Sequence, residues 1–241
     1  MKPLATLLPA LCLVSCLALW AGTPAWAQGP APAPIVAPDT IAERARACTA
    51  CHGQEGRATR SGYFPRIAGK PADYLLQQLV HFREGRRQNI AMHRLVQNLS
   101  DAYLRELAGY FAALDLPYPP PPPGAPAPAR GAQLVRRGDA RLRLPACTAC
   151  HGSAMTGTLP AVPGLLGLPR DYLVAQLGSW RTGQRHAAAP DCMAEIAGRL
   201  GPADLEAVAQ WLSAQPVPAD AKAVPPDTAQ RLPLDCGTVT P

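Results

Sequence analysis

The chain has 241 residues, 48% of them hydrophobic and 17% charged, with a formal net charge of +6. That length accommodates one or two cores. Charge is evenly spread, with 11 basic against 8 acidic side chains over residues 39–116 and 9 against 6 over residues 130–215, which excludes a nucleic-acid-binding footprint.

In chain order, residues 1–27 read as an export signal: Lys2 supplies the positive start, an apolar stretch runs from Leu4 to about Leu19, and Ala25-Trp26-Ala27 is a cleavage site. Leu13-Val14-Ser15-Cys16 is a competing lipoprotein signal that would anchor the protein at Cys16, but the residues after it stay apolar through Trp20. Later in the chain, no run approaches the roughly 20 apolar residues of a spanning helix, so the mature protein is expected to be soluble. Residues 28–38 are rich in Pro and Ala and are expected to be disordered.

Residues 39–116 and 130–215 form a tandem repeat. Cys48-Thr49-Ala50-Cys51-His52 recurs as Cys147-Thr148-Ala149-Cys150-His151. At an offset of 98, Pro65, Gly69, Tyr74, Gln78, Gly85 and Arg87 match Pro163, Gly167, Tyr172, Gln176, Gly183 and Arg185. Beyond them the offset becomes 101, pairing Met92 with Met193 and Leu99 with Leu200. Each repeat reads as three helical stretches; in the first these are Ile41 to Ala50, Pro71 to Glu84 and Ser100 to Leu114, with Ser100 as an N-cap. Strand patterns are absent. The segment 117–129 is dominated by proline, which lacks an amide donor, and is expected to be a semi-rigid polyproline linker. Residues 216–241 read as a loose tail except where Cys236 tethers it.

C-x-x-C-H is the attachment signature of c-type haem: two thiols three positions apart each add to one vinyl group, and the following imidazole reaches the iron. Zinc would need two more nearby ligands, and a thioredoxin-like thiol pair would need a βαβ context. Two covalently bound haem c groups are therefore expected, held by Cys48, Cys51, Cys147 and Cys150, with His52 and His151 as axial ligands. Such attachment takes place outside the bacterial cytoplasm, in keeping with the export signal and a periplasmic location. Roughly 80 residues make a small core, so the aromatics Tyr74, Phe82, Tyr110, Phe111, Tyr172, Trp180 and Trp211 are expected to be core and haem wall. Some arginines are expected to pair with the haem propionates.

The sixth iron ligand separates carrier from enzyme, since a second strong protein ligand leaves only electron transfer. Met92 and Met193 occupy matched places, each on a loop before the last helix, and are the expected distal ligands. Met155, four residues after His151, reads as packing. His93 and His186 are rivals without counterparts in the other repeat, and His81, matched by Ser179, reads as an exposed helix residue. Cys192 and Cys236 are the cysteines left after export and haem attachment; in an oxidising compartment they are expected to form a disulfide, with two buried thiols as the alternative.

These residues resemble the cytochrome c4 family: the paired Cys-Thr-Ala-Cys-His-Gly motifs, Pro65-Arg66-Ile67-Ala68-Gly69 leading to Asp73-Tyr74-Leu75, the Gly85-Arg86-Arg87 turn, and Met92 with Asn98-Leu99-Ser100-Asp101. The resemblance covers about residues 39–215. It implies an all-α fold of two tandem class I cytochrome c domains, His52 and His151 as proximal ligands, Met92 and Met193 as distal ligands, and two neighbouring haems. It departs from the family in its long oligoproline linker, an insertion around Ala187 to Asp191, and the Cys-bearing tail. The expected function is a periplasmic electron carrier, not an enzyme, between a respiratory donor complex and a terminal oxidase or other acceptor. Alternatives are a cytochrome subunit docked to a dehydrogenase and a dihaem peroxidase, for which His186 is the only hint.

Overall fold

The computed structural model describes residues 39–59, 61–121, 127–227 and 232–239, all within one compact unit. The expected signal, Cys16, the segment 28–38 and parts of the linker and tail lie outside the described residues. The first half is built of α1 (Ile41–His52), α2 (Ala72–Arg83), α3 (Ile90–Val96) and α4 (Asp101–Ala113). The second comprises α5 (Ala129–Arg137), α6 (Thr148–His151), α7 (Arg170–Arg181), α8 (Cys192–Arg199) and α9 (Pro202–Ser213), with a two-residue antiparallel pair, β1 (Gly157–Thr158) and β2 (Val162–Pro163).

Local chemistry sets the helix starts. Thr40, Asn89 and Ser100 each accept a backbone N–H of the first turn, from Glu43, Met92 and Tyr103, which satisfies donors that the helix itself leaves open. In the first half, Ala45, Leu75, Leu107, Ala108 and Phe111 close a core between α1, α2 and α4, and Phe82, Val96 and Leu104 form a second cluster under α3. The second half has one larger core that includes Leu134, Val135, Leu173, Leu205, Val208 and Leu212. Burying each such side chain is worth about 1.5–3 kcal/mol. The two repeats thus have separate apolar cores.

Besides the short β1–β2 pair, which no strand pattern announces, four features differ from the sequence reading. Met92 and Met193 lie on short helices, α3 and α8, rather than on loops; elements of 7 and 8 residues are too brief to show a clear period. In the first half α1 runs straight into the cysteine motif, whereas in the second α5 stops at Gly138 and the motif sits on the separate turn α6. Gly138 has a φ of 69°, and a Cβ there would lie 2.2 Å from the Leu144 carbonyl oxygen, so only glycine fits. The start of the linker is packed rather than a free spacer: the Arg66 guanidinium stacks 3.9 Å from the Tyr118 ring and donates to the Pro117 and Leu116 carbonyls. A Cβ on Gly167 of the other half would come within 2.4 Å of that ring. Finally, the tail is ordered along much of its course: Val224 exchanges backbone hydrogen bonds with Gly157 and Leu159, at 3.1 and 2.8 Å.

Helices α5 and α9 cross at Gly131, where a Cβ would stand 2.1 Å from the Ala207 carbonyl oxygen. Helix propensity alone favours Gly131→Ala by up to about 1 kcal/mol. The crossing reverses the sign, and the variant should lose about 1–3 kcal/mol in denaturant unfolding followed by circular dichroism; a stabilised variant would contradict this packing.

Candidate haem sites and the joint between the halves

Each cysteine motif ends in a buried histidine held in the same way. His52 Nδ1 lies 2.8 Å from the Pro65 carbonyl oxygen and His151 Nδ1 lies 2.8 Å from that of Pro163, two prolines at matched repeat positions. Because a carbonyl can only accept, Nδ1 carries the proton and Nε2 keeps its lone pair, the tautomer of a metal-binding imidazole. Burial, only partly opposed by these hydrogen bonds, holds both pKa values below the ordinary histidine value, with Arg87 and Lys70 respectively adding to the shift. Both rings therefore stay neutral at physiological pH.

The cysteines do not resemble a redox-active thiol pair, which needs a depressed pKa. Burial raises Cys48 and Cys150 and pushes Cys147 up to about 11. Among the described residues, no group of three His, Cys, Asp or Glu side chains is arranged to hold a bare metal ion.

Met92 is half-buried on the inner side of α3, packed against the Phe82, Val96 and Leu104 cluster. Met193 is half-buried in the first turn of α8, directly after Cys192, which is disulfide-bonded to Cys236 with a Cα–Cα distance of 5.1 Å. Met155 is 3% exposed within the second core. His93 donates through Nδ1 to the Phe82 carbonyl, at 3.0 Å, so that nitrogen is the protonated one. His186 is exposed, and its backbone N–H is tied to the Arg86 carbonyl at 2.7 Å, so the sole hint of a peroxidase belongs to the joint between the halves.

That joint is the part of the site that sequence reasoning missed. Arg87 and Arg185 form an antiparallel bridge, and each guanidinium is buried, at 8% and 5% exposure. Arg87 donates to Gln78 at 2.9 Å within its own half and to Tyr172 and Gln176 of the other half at 2.9 and 2.7 Å. Arg185 mirrors it, donating to Gln176 and Gln78, both at 2.9 Å. Each also stacks on its own half's matched aromatic, Arg87 on Phe82 at 4.5 Å and Arg185 on Trp180 at 3.8 Å. Burial first, and then the Arg87 charge, push Arg185 down to about 10, which still leaves it cationic at neutral pH. Burial works to raise the Tyr74 phenol but is outweighed by the charges of Arg185 and Arg87, which bring it down. The signal was present in the sequence: Tyr74, Gln78 and Arg87 all recur at the 98-residue offset.

No carboxylate of the described residues pairs with either guanidinium in the structure. Nearby, Arg86 Nε and Trp180 Nε1 are buried donors with no acceptor. Two uncompensated cations with two orphaned donors suit anionic acceptors supplied from outside the polypeptide. Haem propionates have that chemistry, so the residues present fit the group.

No family model matches the chain. It is 36% identical over 199 residues to the thiosulfate dehydrogenase electron acceptor of Thiomonas intermedia, covering 82% of this chain and 86% of that protein. It is 34% identical to cytochrome c4 of Pseudomonas aeruginosa, over 72% of this chain and 87% of the relative. The chain belongs to the cytochrome c4 family. Among solved structures, the thiosulfate dehydrogenase TsdBA from Marichromatium purpuratum superposes with a TM-score of 0.65 at 32% identity, covering 73% of this chain; the match spans only 39% of that longer chain. The protein is a dihaem c-type cytochrome with two tandem, helical cytochrome c domains and two covalently bound haems, an electron-transfer protein rather than an enzyme. No described helix is long and apolar enough to cross a membrane.

His81 corrects the sequence reading: it is 3% exposed rather than on the surface. Burial, followed by the charges of Arg86 and Arg185, with Glu84 opposing and Arg87 adding, lowers its pKa to about 4. The native imidazole is thus neutral, while the unfolded chain takes up a proton near pH 6.5. Stability held above about pH 6.5 should fall as pH drops toward 4, and His81→Gln should flatten that segment of the denaturation midpoint against pH. Parallel profiles for the two proteins would refute the assignment.

Proposed function

We propose that Cys48 and Cys51 carry one haem and Cys147 and Cys150 the other through thioether bonds, with His52 and Met92, and His151 and Met193, as axial ligand pairs. The observation that carries this is the repeated His Nδ1 to proline carbonyl bond, which presents Nε2 in both halves. Haem supplies reversible one-electron Fe(III)/Fe(II) chemistry, and a thioether opposite the imidazole favours a relatively high potential. The polypeptide contributes burial, a fixed imidazole tautomer and the paired guanidiniums at the joint, whose charge favours propionate binding. No bond in a substrate is made or broken.

The protein is a periplasmic shuttle whose donor is a thiosulfate dehydrogenase and whose acceptor is a downstream oxidase or carrier. The support is the 36% identity to an electron acceptor of that enzyme. A second reading, a subunit docked stably to the dehydrogenase, is favoured by the TsdBA chain, of which the region matching this chain is 39%. Mixing the oxidised holoprotein with Thiomonas intermedia thiosulfate dehydrogenase and thiosulfate should reduce both haems; no reduction would remove this donor. Co-elution of the two proteins on gel filtration would select the docked reading.

The ligand assignment has its own test. Met193→Ala should let carbon monoxide bind about half of the reduced haem, because one strong axial ligand is lost and the other haem keeps its own. The wild-type ferric protein should show the near-infrared sulfur-to-iron band. If His186→Ala opens a haem and Met193→Ala does not, the assignment of Met193 is wrong.

A further inference from the structure

The two repeats differ on the outer side of α3 and its counterpart α8. In α3, Met92, His93 and Val96 turn inward, whereas Ile90, Ala91, Arg94 and Leu95 are exposed, Ile90 at 66% and Leu95 at 48%. These four fall on one continuous face, since Ile90 and Arg94, and Ala91 and Leu95, are four residues apart. Tyr63 joins the face: it is 60% exposed, and its hydroxyl accepts from Asn89, the residue before Ile90, at 3.0 Å. Three of the five large hydrophobic side chains most exposed among the described residues thus gather here.

The counterparts in the second half are different in kind. Ile90, Arg94 and Leu95 correspond to Asp191, Glu195 and Ile196, and Tyr63 to Ala161, which is 5% exposed. Ala91 corresponds to Cys192, the very position from which the disulfide draws the tail over this side of α8. Leu232, Pro233, Leu234 and Asp235 of that tail line one depression with Pro190 and Glu195. Gly237 adds a backbone bond to the Pro190 carbonyl, at 2.9 Å. The face that the tail covers in the second half is open in the first.

We propose that the α3 face of the first half, Tyr63, Ile90, Arg94 and Leu95, is the docking surface for the redox partner, a protein presenting an apolar patch rimmed by carboxylates. Charge argues for that partner. Arg94 is an exposed cation in the middle of the face, no ion pair among the described residues neutralises it, and the sequence has no acidic residue between Glu84 and Asp101. The face is also linked to the site by ring contacts. Tyr63 packs edge-on against Phe64 at 5.1 Å, and Phe64 against the His52 ring at 6.2 Å; Ala161 and Val162 stand at the matching places in the second half. One electron passes per encounter, from the reduced donor to the ferric haem of the first half, with no bond formed or broken. This inference rests on the electron-shuttle reading.

The probe is flavodoxin, a strongly acidic one-electron protein. Calorimetric titration with its oxidised form and stopped-flow reduction by its hydroquinone, which is left as the semiquinone, are compared for wild type, Ile90→Glu, Arg94→Glu and Leu159→Glu. Leu159 is an exposed apolar residue of the second half that serves as control. Affinity and second-order rate should fall at least about tenfold for Ile90→Glu and Arg94→Glu and stay within about twofold for Leu159→Glu, with a weaker salt dependence in Arg94→Glu. Dithionite, too small to need a docking face, should reduce all four alike, and the near-infrared band should be unchanged. Equal losses in Leu159→Glu, or none in the α3 variants, would overturn the proposal. So would a wild-type dimer in sedimentation that Ile90→Glu dissociates, which would make the face a self-association surface. If wild type is inert toward thiosulfate dehydrogenase yet shows the flavodoxin pattern, the donor assignment fails and the docking face stands.

Discussion

Two buried guanidiniums, Arg87 and Arg185, hold the halves together, and much of the structure follows from keeping them there. A buried cation with neutral partners alone is costly. Each is surrounded by as many oxygen acceptors as the polypeptide can bring, from Gln78, Gln176 and Tyr172, and by an aromatic face. Because each arginine reaches acceptors in both halves, separating the halves would break hydrogen bonds of both guanidiniums at once. Lys70, donating across to the Gly164 carbonyl at 3.1 Å, and Tyr118 wedged beside Arg66 extend the same joint.

Duplication supplies the symmetry of that joint, and divergence supplies its direction. The matched Tyr, Gln and Arg of the two repeats meet their own copies across the interface, which is how a two-fold arrangement satisfies itself with one set of residues. Away from the interface the repeats drift apart. The second half has a break after α5, an acidic cap Asp191 and Glu195 at α8, and a tail clamped at Cys192. In the first, Ile90, Arg94 and Leu95 of α3 are exposed. A carrier whose two ends differ in this way can receive and pass electrons through unlike surfaces while its two cores remain alike.

The sequence by itself determined the chemistry and the helical repeat. Two C-x-x-C-H motifs leave little choice of cofactor, and self-alignment shows two similar units, because covalent attachment and helix packing both act over short, regular spacings. Residue pairs such as Pro65 and Pro163 were visible as matches, though their purpose, fixing an imidazole tautomer through a carbonyl, was not. Only the tertiary structure decided how the units meet. Sequence spacing carries no information about which side chains face one another across 98 residues, so Arg87 and Arg185 read only as matched positions of the repeat and His81 as an exposed helix position. The course of the tail was hidden for the same reason. Its backbone bonds to Gly157, Leu159 and Pro190 are set by where the chain returns in space, and no local periodicity records that return.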